Sequence, residues 1–166
     1  MRARPAAKAA DTALRAWVED LAIFLERDGL PRMAGRIFAW LLVCEPPAQT
    51  MEDLAQALQG SKASMSTMTR LLLQAGLIQR VRSPGARADR FLVPPGHWVE
   101  LWESRVRQVS VARALLERGL GLASRRPTAD RSRLEELHEQ YEWMERELPR
   151  LLARWERERG RPRRRT

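Results

Sequence analysis

The sequence predicts a mainly α-helical protein that carries one small β-hairpin. Over most of its 166 residues, apolar side chains recur three or four positions apart, which is typical of amphipathic helices. Between residues 77 and 95 this spacing gives way to two short β-branched or aromatic runs around a Pro-Gly loop, which favours a hairpin. With 44% hydrophobic residues the chain can bury a core, and we expect one domain with helical extensions.

Positive charge lies mainly at the two ends and in one internal segment. Of the net charge of +9, residues 1–10 carry +3, residues 157–166 carry +5 and residues 11–156 carry only +1. We interpret both ends as basic flexible tails, which could contact phosphate or remain solvated. Residues 61–90 hold six basic residues against the single acid Asp89, a local charge of +5 that favours a nucleic-acid partner.

Residues 11–29 are predicted to form an N-terminal helix that ends at Gly29. Its apolar positions include Leu14, Trp17 and Leu21, which we assign to a dimer interface. A second helix begins at Pro31 and ends at the "EPP" sequence of residues 45–47. The predicted buried side of this helix consists of Met33, Ala34, Ile37, Phe38, Leu41 and Leu42.

Two further short helices are predicted, separated by a tight turn. Thr50 and Asp53 stand three residues apart, as in a capping box that begins the first of them. Ser61 can cap the second helix and Gly76 can end it. The predicted inward stripe of this second helix is Met65, Met68, Leu72 and Ala75.

The opposite side of the 62–75 helix carries small polar side chains and one arginine. An arginine can bond guanine through O6 and N7, and hydroxyl groups can bond base edges or phosphates. A lysine at the helix start suits a phosphate, which a helix N-terminus also attracts. The alternative is an ordinary solvated face, but the hairpin that follows and the local charge favour DNA. The candidate DNA-binding residues here are Lys62, Ala63, Ser66, Thr67, Arg70 and Gln74.

Residues 30–95 therefore have the order of a winged helix-turn-helix: two short helices joined by a tight turn, then a basic hairpin. The hairpin is the predicted wing. Its arginines are candidates for contact with the minor groove or the DNA backbone, and for each of them a surface role without contact is the alternative. These arginines are Arg82, Arg87 and Arg90.

Residues 96–156 are predicted to form a helical dimerisation region, with one helix over 97–118 and a linker over 119–130. Inward positions of the first helix include Trp98, Trp102 and Leu115. The last helix has apolar intervals of three and four, a heptad seam, and Pro149 is expected to kink it or begin a new segment. We assign this seam to a homodimer interface formed by Leu134, Leu137, Tyr141, Met144, Leu148 and Leu151.

The stretches "LPRMAGRIFAWLL", "SKASMS" and "AGLIQRV", with an arginine before an aromatic residue in the wing, resemble the MarR superfamily of bacterial transcription regulators. Residues 30–91 look most like the branch typified by the glycine betaine synthesis repressor, GbsR. The resemblance implies a homodimer that binds double-stranded DNA, often as a repressor, with an affinity that changes with a small molecule or stress. Many relatives carry a tighter Asp-x-Arg pattern in the wing, where this chain reads "RADRF".

The aromatic residues of the flanking helices have two interpretations. Trp17, Trp98, Trp102 and Tyr141 are expected to fill the core and the dimer interface. The alternative is an aromatic pocket that holds a quaternary ammonium effector. No effector-binding residues are assigned. The lone Cys44 is interpreted as a buried apolar residue of a cytoplasmic, nucleoid-associated protein.

Catalytic, metal and cofactor motifs are not found in the sequence. His138 and Glu142 stand four residues apart, but they lie on an ordinary charged helix, so no metal is predicted. "GLGLAS" follows a helix rather than a strand, which argues against a dinucleotide. We predict no enzyme activity, no cofactor and no membrane partner. The rival interpretations are a winged-helix adaptor module without specific DNA binding and a small helical ligand-binding or enzymatic domain.

Overall fold

The structure, a computed structural model, describes residues 5–82, 88–96, 98–126 and 130–159. It divides into two compact units, Met1–Pro95 and Gly96–Thr166. The helical fold with a winged helix-turn-helix is confirmed, although the first helix begins earlier than predicted. The N-terminal unit contains α1 (Pro5–Arg27), α2 (Arg32–Leu41), β1 (Gln49–Thr50), α3 (Met51–Leu58), α4 (Lys62–Gln74), β2 (Gln79–Val81) and β3 (Arg90–Leu92). The C-terminal unit contains α5 (Trp98–Ala123) and α6 (Ser132–Arg159).

Helices α1 and α2 pack closely because a glycine lies at their contact. A Cβ atom at Gly35 would stand 3.0 Å from the Cα atom of Ala22, and both residues are buried. The Nε atom of Arg36 lies 2.6 Å from a carboxylate oxygen of Glu19 at the same interface. Small residues therefore set the distance between these two helices.

The caps of α3 and α4 form as the sequence predicts. The Thr50 hydroxyl accepts a hydrogen bond from the backbone N–H of Asp53 at 3.1 Å, and the Thr50 N–H donates to the Asp53 carboxylate at 2.8 Å. Hydrogen bonds to the Asp53 carboxyl group from the Thr50 backbone N–H, which contributes most, and from the Thr50 side chain lower the pKa of Asp53. The Ser61 hydroxyl accepts from the N–H of Ser64 at 3.2 Å, and α4 is followed by Gly76 at φ 70°.

The core of the N-terminal unit lies beneath α4. Met65 and Leu72 are fully buried, and α4 packs against both α2 and α3. The predicted inward stripe is only partly correct, because Met68 and Ala75 are half-buried while Thr69 is 2% exposed. The Thr69 hydroxyl can be buried because it donates to the Met65 carbonyl oxygen at 2.7 Å.

A three-stranded antiparallel sheet of order β1-β3-β2 replaces the predicted two-stranded hairpin. Strand β1 has two residues, too few to show a period, so the sequence did not predict it. Gln49 pairs with Phe91, and Thr50 pairs with Arg90. Residues 83–87, which join the strands of the wing, lie outside the described residues.

The prediction for the second helix needs one correction at its end. Leu42 was expected on the buried side, but α2 ends at Leu41 and Leu42 is exposed. Met33 is half-buried, whereas Ala34, Ile37, Phe38 and Leu41 are buried as predicted. Leu42 keeps a helical backbone as the C-cap residue, at φ −73° and ψ −22°, but it lies at the margin of the buried stripe.

The C-terminal unit is a pair of packed helices. Helix α5 continues through residues 119–123, which the sequence assigned to a linker. This prediction was wrong because Gly119 serves close packing: a Cβ atom there would lie 3.3 Å from Leu134 of α6. Helix α6 is not divided at Pro149, which lies inside it. None of the described helices is both long and apolar enough to cross a bilayer.

An ion pair joins the two C-terminal helices beside their apolar contact. The Arg113 guanidinium pairs with Glu145 of α6 and lies 3.1 Å from Glu117 of its own helix. A hydrogen bond from Ser110 and the pair with Arg113 lower the pKa of Glu145. Trp102 and Leu115, predicted to face inward, are 55% and 56% exposed because a two-helix unit covers only one stripe of each helix.

We expect Gly35→Ala to lower the free energy of unfolding by about 1–3 kcal/mol, since the added methyl group meets the backbone of α1. The matched control is Gly121→Ala, where nothing lies within 4 Å of the new Cβ atom. There the higher helix propensity of alanine should raise stability by about 0.5–1 kcal/mol. Urea-induced unfolding measures both values, and equal effects would contradict the close contact of α1 with α2.

Candidate nucleic-acid interface

One face of α4 is exposed along its whole length. Ala63, Thr67, Arg70 and Gln74 are exposed, and so is Lys62 at the first position of the helix. Ser66 is half-buried. The structure therefore brings all six sequence-predicted residues of this helix onto its solvent side. The buried stripe opposite them fixes which way they face.

The polar groups of this face differ in their local partners. The Thr67 hydroxyl donates to the carbonyl oxygen of Ala63 at 3.1 Å, a bond within the helix. Arg70 has no ion-pair partner among the described residues. An exposed guanidinium without a carboxylate beside it is available to an external acceptor, such as a guanine edge or a phosphate.

The wing presents two arginines around one carboxylate. Asp89 lies 3.4 Å from a guanidinium nitrogen of Arg80 and 3.1 Å from Nε of Arg82. Both arginine side chains remain more than half exposed, at 57% and 72%. Asp89 thus holds the two cations side by side while their outer surfaces stay open to solvent. Arg80 was not among the sequence-predicted site residues, although its place in the basic segment 61–90 could have indicated it.

The remaining two wing arginines differ from this pair. The Arg90 guanidinium donates to the carbonyl oxygen of Ala48 at 3.0 Å, and its charge also helps to lower the pKa of Asp53. Arg90 is half-buried, so it ties β3 to the segment before α3. Arg87, the other sequence-predicted residue, lies outside the described residues.

The residues predicted to form a dimer interface lie on two helices, α1 and α6. On α1, Leu14 and Leu21 are half-buried and Trp17 is 40% exposed. On α6, Leu137 and Leu151 are exposed, at 40% and 62%. The other seam positions, which are half-buried, are Leu134, Tyr141, Met144 and Leu148. Each unit therefore carries apolar surface that its own packing leaves uncovered.

Two neighbouring clefts lie in the N-terminal unit, with volumes of about 260 and 500 Å³. Arg15, Trp40 and Ala57 line both of them, whereas Trp17 lines neither. The alternative interpretation, in which Trp17, Trp98, Trp102 and Tyr141 form an effector pocket, stays a hypothesis. His138 and Glu142 belong to no cluster of three metal-binding side chains within the described residues.

Comparison with known proteins matches both units to regulator families. Residues 96–158 match the model of MmpR5-like MarR family transcriptional regulators, and residues 28–88 match a model of the MarR family. The HTH-type transcriptional regulator MmpR5 of Mycobacterium tuberculosis is 33% identical over 144 residues, which cover 87% of each chain. The chain belongs to the MarR family of transcriptional regulators.

The fold of this MarR-family regulator agrees with that assignment. The crystal structure of a transcriptional regulator matches it with a TM-score of 0.77 and 32% identity, over 87% of this chain and 99% of the other. The prediction of a winged-helix, DNA-binding transcriptional regulator is confirmed. The GbsR-like branch predicted from residues 30–91 is not confirmed, since the matches are to MmpR5-like regulators.

We expect Arg82 and Arg90, the two described wing arginines that the sequence predicts to contact DNA, to differ in their effect on stability. Arg90→Ala should lower the free energy of unfolding by about 1–3 kcal/mol, because it removes a charged donor from the Ala48 carbonyl group. Arg82→Ala should change it by less than about 1 kcal/mol, since its ion pair is exposed. Urea-induced unfolding of both variants tests this difference. A larger effect for Arg82→Ala would contradict the inward role of Arg90.

Proposed function

We propose that this MarR-family regulator binds an inverted-repeat operator as a homodimer and places one α4 helix in each of two successive major grooves. The observation that carries the proposal is the exposed polar face of α4, on which the Arg70 guanidinium has no partner among the described residues. The opposite stripe of the helix is buried, so the orientation of this face is fixed before DNA arrives. Such preorganisation reduces the entropic cost of binding.

Four of the candidate residues of α4 have a proposed polar contact with DNA. Arg70 bonds the O6 and N7 atoms of guanine, and Gln74 bonds a base edge one turn further along the helix. Ser66 lies beside the base-reading face and bonds a base edge or a phosphate. Lys62 and the N-terminal N–H groups of α4 bind a phosphate, which positions the helix in the groove.

The wing supplies phosphate or minor-groove contacts beside α4. Arg80 and Arg82 carry this role in the proposal, because Asp89 holds them together and both remain largely exposed. Arg87 stays a candidate from the sequence alone. Arg90 is given a supporting role in the sheet in this proposal, since one nitrogen of its guanidinium donates to the Ala48 carbonyl oxygen. Phosphate contacts of this kind make binding strongly dependent on salt.

The homodimer proposal rests on the apolar surface that the single chain leaves exposed. Trp17, Trp102, Leu115 and Leu151 are all at least 40% exposed, which is costly for large apolar side chains unless a second chain covers them. A two-fold dimer would bind half-sites whose centres are about 10 base pairs apart. We propose that α1, α5 and α6 form this interface.

Regulation is proposed from the family. As a member of the MarR family, the chain would act in the cytoplasm as a non-enzymatic repressor whose affinity for the operator changes with a small molecule. The alternative is an adaptor that uses its winged helix to bind protein and does not bind duplex DNA specifically. The effector stays unidentified in this proposal.

We expect Arg70→Ala to weaken binding to an operator selected from a randomised duplex pool by about 1–3 kcal/mol and to relax base preference at one position per half-site. The matched control is Arg107→Ala, which removes an exposed positive charge from α5. Fluorescence anisotropy at two salt concentrations measures both variants. Equal losses for the two variants would mean that only net charge matters, and failure to select any sequence would favour the adaptor.

We expect Leu151→Glu to shift the dimer towards monomer, because a carboxylate would enter the proposed apolar interface. Trp143→Gln is the control, since Trp143 is 56% exposed but lies off the heptad seam of α6. Sedimentation equilibrium gives the dissociation constant of each variant. An unchanged dimer in Leu151→Glu would remove this part of α6 from the interface.

A further inference from the structure

The exposed face of α4 contains a narrow stripe with an ordered chemistry. Ala63, Thr67, Arg70 and Gln74 follow one another at intervals of four, three and four residues, and all four are exposed. At about 100° per residue these positions fall within an arc of about 60°. The stripe is about 16 Å long, a length that spans at most about five base-pair steps of 3.4 Å.

The first half of this stripe presents methyl groups rather than hydrogen-bond donors. The hydroxyl hydrogen of Thr67 is used within α4, because it is donated to the Ala63 carbonyl oxygen at 3.1 Å. This bond favours one side-chain rotamer. What remains for a ligand is the methyl group and the two lone pairs of the hydroxyl oxygen. Ala63, one turn earlier, offers only a methyl group.

The second half presents donors. The Arg70 guanidinium has no ion-pair partner among the described residues, and the Gln74 amide is exposed. Along the helix axis Arg70 follows Thr67 by about 4.5 Å, which is little more than one base-pair step. A methyl-bearing position and a guanidinium therefore meet neighbouring base pairs when α4 lies in a major groove.

The base edges that complement this order can be stated from their chemistry. Only thymine carries a methyl group into the major groove, and alanine and threonine methyl groups contact it favourably. Guanine offers the paired acceptors that a guanidinium bonds in two places. While its hydrogen is donated to the Ala63 carbonyl oxygen, Thr67 has no donor left for guanine or for the O4 atom of thymine, so its methyl group is the feature that it presents to a base.

We propose that Thr67 is a specificity-determining residue that reads a thymine methyl group, within one or two base pairs of the guanine read by Arg70. This inference rests on the proposed function, since it requires α4 to enter the major groove. The Thr67 methyl group, rather than its hydroxyl group, carries the base discrimination. The Ala63 methyl group extends the same apolar contact towards the helix N-terminus.

Two substitutions separate the methyl group from the hydroxyl group. Thr67→Val keeps a methyl group in the β-branched position and removes the hydroxyl, whereas Thr67→Ser keeps the hydroxyl bond to Ala63 and removes the methyl. Position 67 is exposed, so neither variant disturbs the core. Circular dichroism and the melting temperature confirm that both variants retain the fold.

The experiment uses the full chain and an operator selected by the wild-type protein from a randomised duplex pool. In that duplex each thymine is replaced in turn by uracil, which removes only the 5-methyl group. For the wild type and for Thr67→Val, replacing one particular thymine in a single half-site should weaken binding by about fourfold, which is the effect of one buried methyl group. Replacement in both half-sites should weaken it by about fifteenfold. Thr67→Ser should bind the thymine and uracil duplexes equally.

The outcomes distinguish this inference from the proposed function. If Thr67→Ser keeps the preference for thymine over uracil, or if Thr67→Val loses it, the methyl-reading role is overturned while DNA binding stands. If no uracil replacement weakens the wild type, the inference is also overturned. If the wild-type protein selects no sequence from the pool, the proposed function itself fails.

Discussion

The burial of one stripe of α4 is the constraint on which the candidate site depends. Met65 and Leu72 of this helix are fully buried, and the helix packs against α2 and α3. A helix held along one side must present the opposite side to solvent, because its side chains repeat every 3.6 residues. The functional face of α4 is thus a geometric consequence of hydrophobic packing. The Ser61 cap and Gly76 fix where that face begins and ends.

The arginines of the N-terminal unit differ in the groups that their guanidinium groups contact. Arg36 faces Glu19 between α1 and α2, and Arg90 bonds a carbonyl oxygen beside β1, so both support the fold. Arg80 and Arg82 share one carboxylate and remain exposed. Residues of one type in neighbouring positions thus serve different purposes, depending on whether a backbone acceptor or solvent lies at the end of the side chain.

The two helices of the C-terminal unit are long, but they bury few of their side chains. These helices carry apolar side chains at helical spacing, yet Val109 is the one buried apolar residue among those described in this unit. Two helices can each cover only one stripe of the other, and their long apolar side chains extend beyond that stripe. This exposed apolar surface lies within residues 96–158, which match the model of MmpR5-like regulators. The same residues belong to the part of the chain that we propose for dimerisation.

Local interactions could be predicted from the sequence because they involve residues close together in the chain. The capping box of Thr50 and Asp53, the Ser61 cap and the exposed face of α4 all depend on spacings of a few residues. The order of two short helices and a hairpin, which indicated a winged helix-turn-helix, also depended on such local patterns. The proposed roles of individual residues towards DNA are not tested by the fold, and they stay predictions.

Tertiary packing decided what local spacing leaves open. Strand β1 exists because Gln49 and Thr50 pair with β3, some 40 residues later. Gly119 lies within a helix because Leu134 packs against it, and Arg90 faces inward because Ala48 offers an acceptor. By itself the sequence determined the elements with a periodic pattern and part of the face that each would bury. The partner that each residue meets across the fold came only from the structure, because residues distant in the chain leave no mark on local periodicity.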